Sequence, residues 1–164
     1  MNDNNKTMDI QLNEHNKSEH APSHTAEHLL NQTMVRMFGC ERSRNAHIER
    51  KKSKISYQIP IKPTEEQVAL IVQKMNELIR QHLPVYYEFY TLEELPEEIS
   101  TERLPDNASE TVRVVKIGDY DACLCAGNHV RNTSEIGEFL LLGTNWDEEK
   151  KNFRIRYKVK PRSE

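Results

Sequence analysis

The sequence lacks the features that would export this chain or hold it in a membrane. Its first residues form neither the basic nor the apolar part of a secretory signal, and no stretch approaches the roughly 18 apolar residues of a membrane span. We therefore expect a cytoplasmic protein with no membrane partner. Only three cysteines occur in 164 residues. A disulfide framework is not expected, and reduced thiols remain, one of which could bind a metal.

Glycine is scarce, with five residues, and neither standard glycine-rich phosphate loop is present. This absence excludes the common modes of nucleotide binding. A net charge of −3 argues against a general nucleic-acid binder, and nothing in the sequence indicates DNA as a partner. The charges are segregated, however: residues 42–54 are rich in lysine and arginine, whereas residues 88–110 are dominated by glutamate. A basic edge opposite an acidic one would orient an anionic partner.

The length and the two predicted helices indicate one domain after a short tail. Residues 1–21 have little apolar surface to bury and are predicted to be a flexible polar tail, so residues 22–164 form the predicted domain. The first helix is predicted from Ser23 to Phe38, where apolar positions recur at helical spacing. The second begins at Thr64, which forms a capping box with Gln67.

Alternating stretches predict the strands. Residues 45–61 predict a hairpin with its tip at Lys51 and Lys52, and further strands are expected at VYYEFY, TVRVVKI, GEFLLLGTNW and NFRIRYKV. A helical turn broken by Pro96 and an acidic loop to Asn107 are expected between VYYEFY and TVRVVKI. This order indicates an α+β fold: a single two-layer domain with a largely antiparallel sheet packed against two main helices.

Two pairs of potential metal ligands occur in the chain. His24 and His28 lie four residues apart on the first predicted helix, so both imidazoles project from one face about 6 Å apart. About a hundred residues later, Cys125 and His129 flank Gly127, which lets the backbone bend so that both side chains face inward. Three imidazoles and one thiolate suit a tetrahedral zinc ion, with a net charge of about +1. The HExxH pattern of zinc proteases is absent, which excludes that class.

HTAEHLL, followed by CAGNHVRNTSEIGEF, resembles the editing domain shared by alanyl- and threonyl-tRNA synthetases and by the stand-alone AlaX-type deacylases. The family pattern is HxxxH and then CxxxH inside a C-x-G-x-H-V…T-x-E-I-G block. FRIRYKV is similar to the strand that closes the domain, and the resemblance covers roughly residues 22 to 160. The second block is matched at Cys125, Gly127, His129, Val130, Thr133, Glu135, Ile136 and Gly137.

The resemblance implies a hydrolase that holds one Zn²⁺ per chain and cleaves the ester between a wrong amino acid and the 3′ end of tRNA. Its partner would be the acceptor end of an aminoacyl-tRNA, with Ser-tRNA(Ala) or Gly-tRNA(Ala) as the expected substrate. No catalytic residue beyond the metal site is predicted, because an aminoacyl ester is already labile and needs chiefly positioning and polarisation. If all four ligands bind, the ion is coordinatively full; if one is released, that position can hold water or the substrate amine.

Two positions depart from the family. Ala126 and Asn128 replace the first glycine and the threonine of the common CGGTHV spelling, which leaves the choice of amino acid open. In the synthetases a polar hairpin lines the amino-acid pocket, and Asn45 and His47 are the polar residues of the corresponding stretch here. An exposed hairpin with no role in the pocket is the alternative.

The residues before His24 are too few for an aminoacylation domain, so we expect a free-standing protein that binds tRNA by itself. Phosphate contacts are expected from the basic hairpin and the final strand, although a solvated cationic surface would have the same composition. These residues are Arg42, Arg44, Arg50, Lys51, Lys52, Lys54, Arg154, Arg156, Lys158 and Lys160.

A second class of function fits the same residues: a non-catalytic zinc module that binds tRNA or a synthetase. Hydrolysis of another small ester is a third, for which the sequence has no separate signal. Nothing in the sequence fixes the oligomeric state, and a homodimer stays open.

Overall fold

The computed structural model describes residues 20–101 and 111–161. Most of the predicted tail and the acidic loop near Asn107 lie outside these residues. No helix in the described ranges is long and apolar enough to cross a membrane. The elements are α1 (Ala21–Phe38), β1 (Asn45–His47), β2 (Ser53–Gln58), α2 (Glu65–Arg80), β3 (Val85–Thr91), β4 (Thr111–Ile117), β5 (Asp121–Leu124), the 3₁₀ helix η1 (Thr133–Ile136), β6 (Glu138–Asp147) and β7 (Asn152–Lys160).

Both predicted helices form, and their ends follow the signals in the sequence. Helix α1 begins at Ala21, two residues earlier than predicted, because Pro22 is suited to the first helical turn. It ends at Gly39, whose φ of 67° is left-handed and whose N–H donates to the Val35 carbonyl at 2.9 Å. Helix α2 has the predicted capping box between Thr64 and Gln67.

The predicted α+β architecture is confirmed, with the strands divided into two antiparallel sheets. One sheet has the order β1-β2-β7-β6 and the other the order β3-β4-β5. The predicted β1-β2 hairpin is present, with Ala46 opposite Ile55. Residues 92–99, where a helical turn was predicted, form a series of turns that ends in the buried Ile99.

Helix α1 packs on the inner face of the four-stranded sheet. On β7, Phe153, Ile155, Tyr157 and Val159 are buried, and the intervening cations point to the other face. The Tyr157 hydroxyl donates to the Ser23 carbonyl at 3.0 Å, and the Tyr57 hydroxyl donates to Asn31 Oδ1 at 2.9 Å. These bonds between strands and helix fix the position of the N-terminal half of α1, which carries His24 and His28.

The segment after β5 is held between α2 and β7. Thr133 Oγ1 donates to the Leu78 carbonyl at 2.9 Å and accepts the Leu83 N–H at 2.9 Å. Gly137 has a φ of 92°, and a β-carbon there would lie 2.1 Å from the Lys160 carbonyl oxygen, so no other residue fits. The T-x-E-I-G stretch therefore anchors the end of the loop that carries Cys125 and His129.

Candidate metal centre

The structure brings the two predicted pairs of ligands into one cluster. His24 and His28 project from α1, and Cys125 and His129 lie on the loop that follows β5. One ligand atom from each of the four residues lies within 4.8 Å of the other three. The His24 and His129 rings stack at 4.3 Å between centroids, and the His28 ring meets the His129 ring edge-on at 4.4 Å. The cluster has the size and donor types of a first coordination shell.

His24 is oriented by the loop that carries the other ligands. Its Nδ1 lies 3.2 Å from the Asn128 carbonyl oxygen, which can only accept a hydrogen bond, so Nδ1 carries the proton. Its Nε2 is then the nitrogen with a free electron pair, and it lies 3.5 Å from Cys125 Sγ. Asn128 is exposed and stands where the family motif has threonine. It thus contributes its backbone carbonyl to the site instead of its side chain.

His129 is held by Thr25, which lies one turn of helix from His28. Thr25 Oγ1 lies 3.0 Å from His129 Nδ1 and accepts the Val130 N–H at 3.1 Å. His129 Nε2 is buried and has no hydrogen-bond partner among the described residues. A buried nitrogen in this state fits a metal ligand, because a bound cation would satisfy it.

Burial sets the protonation states of two ligands. Burial, with smaller contributions from His24 and Arg113, lowers the pKa of His129 to about 2, so its imidazole is neutral as a ligand must be. Burial raises the pKa of the Cys125 thiol to about 12 in the metal-free protein, against the lowering effect of the Gly127 N–H that donates to its sulfur at 3.3 Å. A cation would therefore bind with loss of the thiol proton.

Arg113 on β4 holds the loop that carries Cys125. Its Nε donates to the Cys125 carbonyl at 2.7 Å and its Nη2 to the Gly127 carbonyl at 2.6 Å. The guanidinium lies over the ring of Tyr87, 4.2 Å from its centroid. No sequence pattern identified Arg113 as part of the site, because its position in the alternation of β4 is that of an ordinary solvent-exposed cation.

Two buried carboxylates also adjoin the cluster. Glu27, which is 6% exposed, places Oε1 3.5 Å from His24 Nε2. Asp121, at the start of β5, places Oδ2 3.7 Å from His28 Nδ1. Sequence analysis did not identify either residue as part of the site; the position of Glu27 between the two histidines of HTAEH was the available signal.

The structure places the two predicted pocket residues on the β1-β2 hairpin. Asn45 and His47 are exposed on β1, and the His47 side chain contacts Glu49. Arg42 was predicted to contact a phosphate, but it forms a bidentate ion pair with the buried Asp121. Its Nη1 lies 2.6 Å from Oδ1 and its Nη2 lies 3.2 Å from Oδ2.

Five of the remaining predicted cations share one face of the four-stranded sheet. Lys54 lies opposite Arg156, and Ser56 opposite Arg154, so the hairpin and the final strand share the outer face of the four-stranded sheet. Arg154, Lys158 and Lys160 are exposed there. This face is opposite to the one that packs on α1. Arg44 and the hairpin-tip residues Arg50, Lys51 and Lys52 are also exposed.

The fold and site together define an α+β domain in which four histidine and cysteine donors could hold one metal ion. Residues 112–156 match the family described as the threonyl and alanyl tRNA synthetase second additional domain. Among curated relatives, the alanyl-tRNA editing protein Aarsd1-B of Xenopus laevis is 30% identical over 136 residues, which are 82% of this chain and 32% of the relative. Aarsd1 of Mus musculus is 31% identical over 138 residues, 84% of this chain and 33% of the relative.

The alanine–tRNA ligase of Caldicellulosiruptor saccharolyticus is 32% identical over 123 residues, 73% of this chain and 14% of the ligase. The match to the second-additional-domain family covers residues 112–156 of the chain. Over most of its length the chain is similar to alanyl-tRNA editing proteins and to alanine–tRNA ligases. It spans about a third or less of the length of these relatives.

Proposed function

We propose that this chain is a zinc-dependent deacylase of mischarged aminoacyl-tRNA, acting on Ser-tRNA(Ala) or Gly-tRNA(Ala). The observation that carries the proposal is the cluster of His24, His28, Cys125 and His129, whose ligand atoms lie within 4.8 Å of one another. The names of the relatives, which include alanyl-tRNA editing proteins, support the substrate class. In the reaction, water adds to the ester carbonyl and the bond to the tRNA 3′ oxygen breaks. The products are a free amino acid and a tRNA 3′ hydroxyl.

The four side chains would hold Zn²⁺, which when bound supplies polarisation of the substrate or of a water molecule. The chain's own residues keep the ligands in place. The Asn128 carbonyl and Thr25 Oγ1 each engage one nitrogen of a histidine, so the opposite nitrogen faces the cluster. Because the rings are held on two sides, little reorganisation is needed for binding, as catalysis by positioning requires.

Glu27 gives the proposed site a negative group beside the donors. Its Oε1, 3.5 Å from His24 Nε2, lies on the metal-facing side of that ring. A carboxylate there would accept a hydrogen bond from the protonated amino group of the substrate or from a water molecule. It would therefore help to orient the ester beside the metal ligands.

The cationic outer face of the four-stranded sheet is the proposed contact for tRNA phosphates, together with the tip of the β1-β2 hairpin. Lys54, Arg154, Lys158 and Lys160 lie on that face. Such contacts would set affinity without reading the sequence of the bases. Because Arg42 is engaged by Asp121, we propose that it stabilises the contact between β5 and the segment after α1 instead of binding a phosphate.

The test is a deacylation panel with tRNA(Ala) and tRNA(Thr) charged with serine, glycine or alanine. Release of serine or glycine from tRNA(Ala), together with about one zinc per chain, is expected. Cys125→Ala combined with His129→Ala should abolish both. Cys40→Ala is the matched control, since Cys40 lies beyond the end of α1 and donates to the Met34 carbonyl instead of joining the four ligands. Full deacylation by the double variant would refute the proposal, and tRNA binding without any deacylation would identify a non-catalytic zinc module instead.

A further inference from the structure

Resting on the metal site of the proposed function, we propose that Asp121 is a positioning residue that orients His28 toward the metal. Arg42 and Gln32 in turn hold Asp121 in place. Asp121 lies on β5, and the other three come from α1 and the segment that follows it. The tertiary fold therefore brings these four residues together. Their contacts join the helix that carries two of the ligands to the strand that leads to the other two.

The Asp121 carboxylate is fully buried and has polar partners at both oxygens. Its side chain is 0% exposed, and a buried carboxylate is costly unless it is paired. Oδ1 accepts from Arg42 Nη1 at 2.6 Å and from Gln32 Nε2 at 2.9 Å. Oδ2 accepts from Arg42 Nη2 at 3.2 Å and faces His28 Nδ1 at 3.7 Å. Three hydrogen bonds thus fix the carboxylate, and its fourth contact is with the metal ligand His28.

His28 is one of the four clustered donors, and its Nδ1 faces this carboxylate. At 3.7 Å the contact with Asp121 is longer than a hydrogen bond, so it is electrostatic at this distance. Metal-binding histidines commonly direct their second nitrogen to a carboxylate or carbonyl, which fixes the ring and makes the ligating nitrogen a stronger donor. His24 uses the Asn128 carbonyl in this way and His129 uses the Thr25 hydroxyl. Among these three partners Asp121 is the one that carries a charge.

Gln32 and Arg36 extend the arrangement along α1. Gln32 lies four residues after His28, and its Oε1 accepts from Arg36 Nε at 3.3 Å, so its amide nitrogen is turned toward Asp121. Arg36 also donates to the Tyr120 carbonyl at 2.8 Å and lies over the Tyr120 ring, 4.1 Å from its centroid. Arg36 therefore holds the backbone of the residue before Asp121 against the same helix, independently of the Tyr120 hydroxyl, and this limits movement of the carboxylate.

The charges give Asp121 and Arg42 different expected effects on a bound cation. Asp121 is the nearer group to His28, and its negative charge stabilises the positive charge that a metal places on the ring. Arg42 pairs with both carboxylate oxygens and offsets the cost of their burial, while Gln32 also donates to Oδ1. If the ion pair between Asp121 and Arg42 only held β5 to the segment after α1, replacing either residue would change zinc affinity to the same extent.

The experiment compares Asp121→Asn with Arg42→Gln. Zinc affinity is measured by competition with a chromophoric chelator, and ligand geometry by the absorption spectrum of the Co²⁺-loaded protein. Asp121→Asn should lower zinc affinity by about 10- to 100-fold and change the Co²⁺ bands. Arg42→Gln should lower the unfolding midpoint but change zinc affinity by less than about threefold, because Gln32 still donates to Asp121 Oδ1 and keeps the carboxylate beside His28.

The inference is overturned if Asp121→Asn binds zinc within about threefold of wild type, or if both variants lose affinity equally. Because Asp121→Asn leaves Arg42 without its partner and could fold poorly, the double variant Asp121→Asn, Arg42→Gln is compared with Arg42→Gln alone. The double variant has no lone buried charge. It should again bind zinc at least tenfold more weakly, and equal affinity would refute the role of Asp121.

The wild-type protein separates this inference from the proposed function. A wild type that binds no zinc would remove the metal site on which the proposed function depends. A wild type that binds zinc, with Asp121→Asn unaffected, would refute only the role of Asp121. Zinc binding without deacylation would contradict the proposed hydrolase and leave the role of Asp121 intact.

Discussion

Thr25 Oγ1 lies 3.0 Å from His129 Nδ1, although the two residues are 104 positions apart in the chain. The same hydroxyl accepts the Val130 N–H at 3.1 Å, so one buried side chain of α1 engages two consecutive residues of the ligand loop. It holds His129 and the adjoining backbone against the helix that carries His24 and His28. The geometry of the metal centre therefore depends on a residue that is not itself a ligand.

Replacing Thr25 by valine should weaken both folding and metal binding. Valine has nearly the same shape but no hydroxyl, so the buried Val130 N–H loses its acceptor and His129 loses its orienting partner. We expect a loss of about 1–3 kcal/mol in the free energy of unfolding and about a tenfold loss of zinc affinity. Urea unfolding and chelator competition measure the two quantities separately.

Thr33→Val is the matched control for that substitution. Thr33 is likewise a fully buried threonine of α1, and its hydroxyl lies 2.7 Å from the Tyr120 hydroxyl instead of a ligand. It should lower stability by a comparable amount and leave zinc affinity unchanged. If both variants lose zinc affinity to the same extent, Thr25 has only a general role in packing.

Replacing Arg113 by methionine should loosen the loop between Cys125 and His129. The side chain donates to the carbonyls of Cys125 and Gly127, and methionine keeps much of its apolar length without those bonds. Zinc should dissociate faster, with affinity lowered by about 10-fold. Stopped-flow transfer of zinc to a chelator measures the rate. Arg131→Met, at an exposed position of the same loop, should dissociate zinc at the wild-type rate.

The sequence predicted the ligands of this site better than the residues that hold them. His24, His28, Cys125 and His129 could be predicted because metal chemistry restricts the residue types and helix geometry restricts the spacing. Asp121 and Thr25 act on ligands that are far away in sequence or on another element, so local pattern carries no sign of them. Arg42 illustrates the limit: it stands in a cationic run, and only its tertiary contact shows that its charge is engaged.

The same limit applies to the strands. Alternation predicted every described strand except β5, because side chains of a strand alternate between two faces. It did not show that β3, β4 and β5 separate from the other four strands, since pairing depends on contacts between distant segments.

Zinc binding should release a proton from Cys125 near neutral pH. With its pKa raised to about 12, the thiol is protonated in the metal-free protein and becomes a thiolate when it binds the ion. His129, with its pKa lowered to about 2, is already neutral and releases none. Apparent zinc affinity should therefore rise with pH between 6 and 8, by up to about tenfold per unit from Cys125. Calorimetry in buffers of different ionisation enthalpy counts the protons, and a count near zero at pH 7 would contradict the prediction.

The metal-free protein should lose stability as the pH falls below about 6.5. His129 has its ordinary pKa in the unfolded chain but a value of about 2 when folded, so below pH 6.5 only the unfolded state takes up the proton. Between pH 7 and pH 5 this difference amounts to about 2 kcal/mol at most. Urea midpoints of the chelator-treated protein at the two pH values measure it. His129→Gln should show a smaller pH dependence than wild type over this range, and an equal one would assign the effect to other groups.

Substitution of cations on the outer face of the four-stranded sheet should change tRNA affinity without changing the chemical step. Arg154 and Lys158 lie on the face of β7 opposite to α1, so they can contact phosphates but not the ester beside the ligands. Arg154→Gln with Lys158→Gln should raise KM for the charged tRNA by about 3- to 10-fold and leave kcat unchanged. The dependence of log affinity on log salt should become shallower by about 1 to 2, because up to two phosphate contacts are lost. Lys62→Gln, an exposed cation before α2, is the control. A fall in kcat at constant KM, or a salt dependence equal to that of wild type, would place the tRNA on another surface.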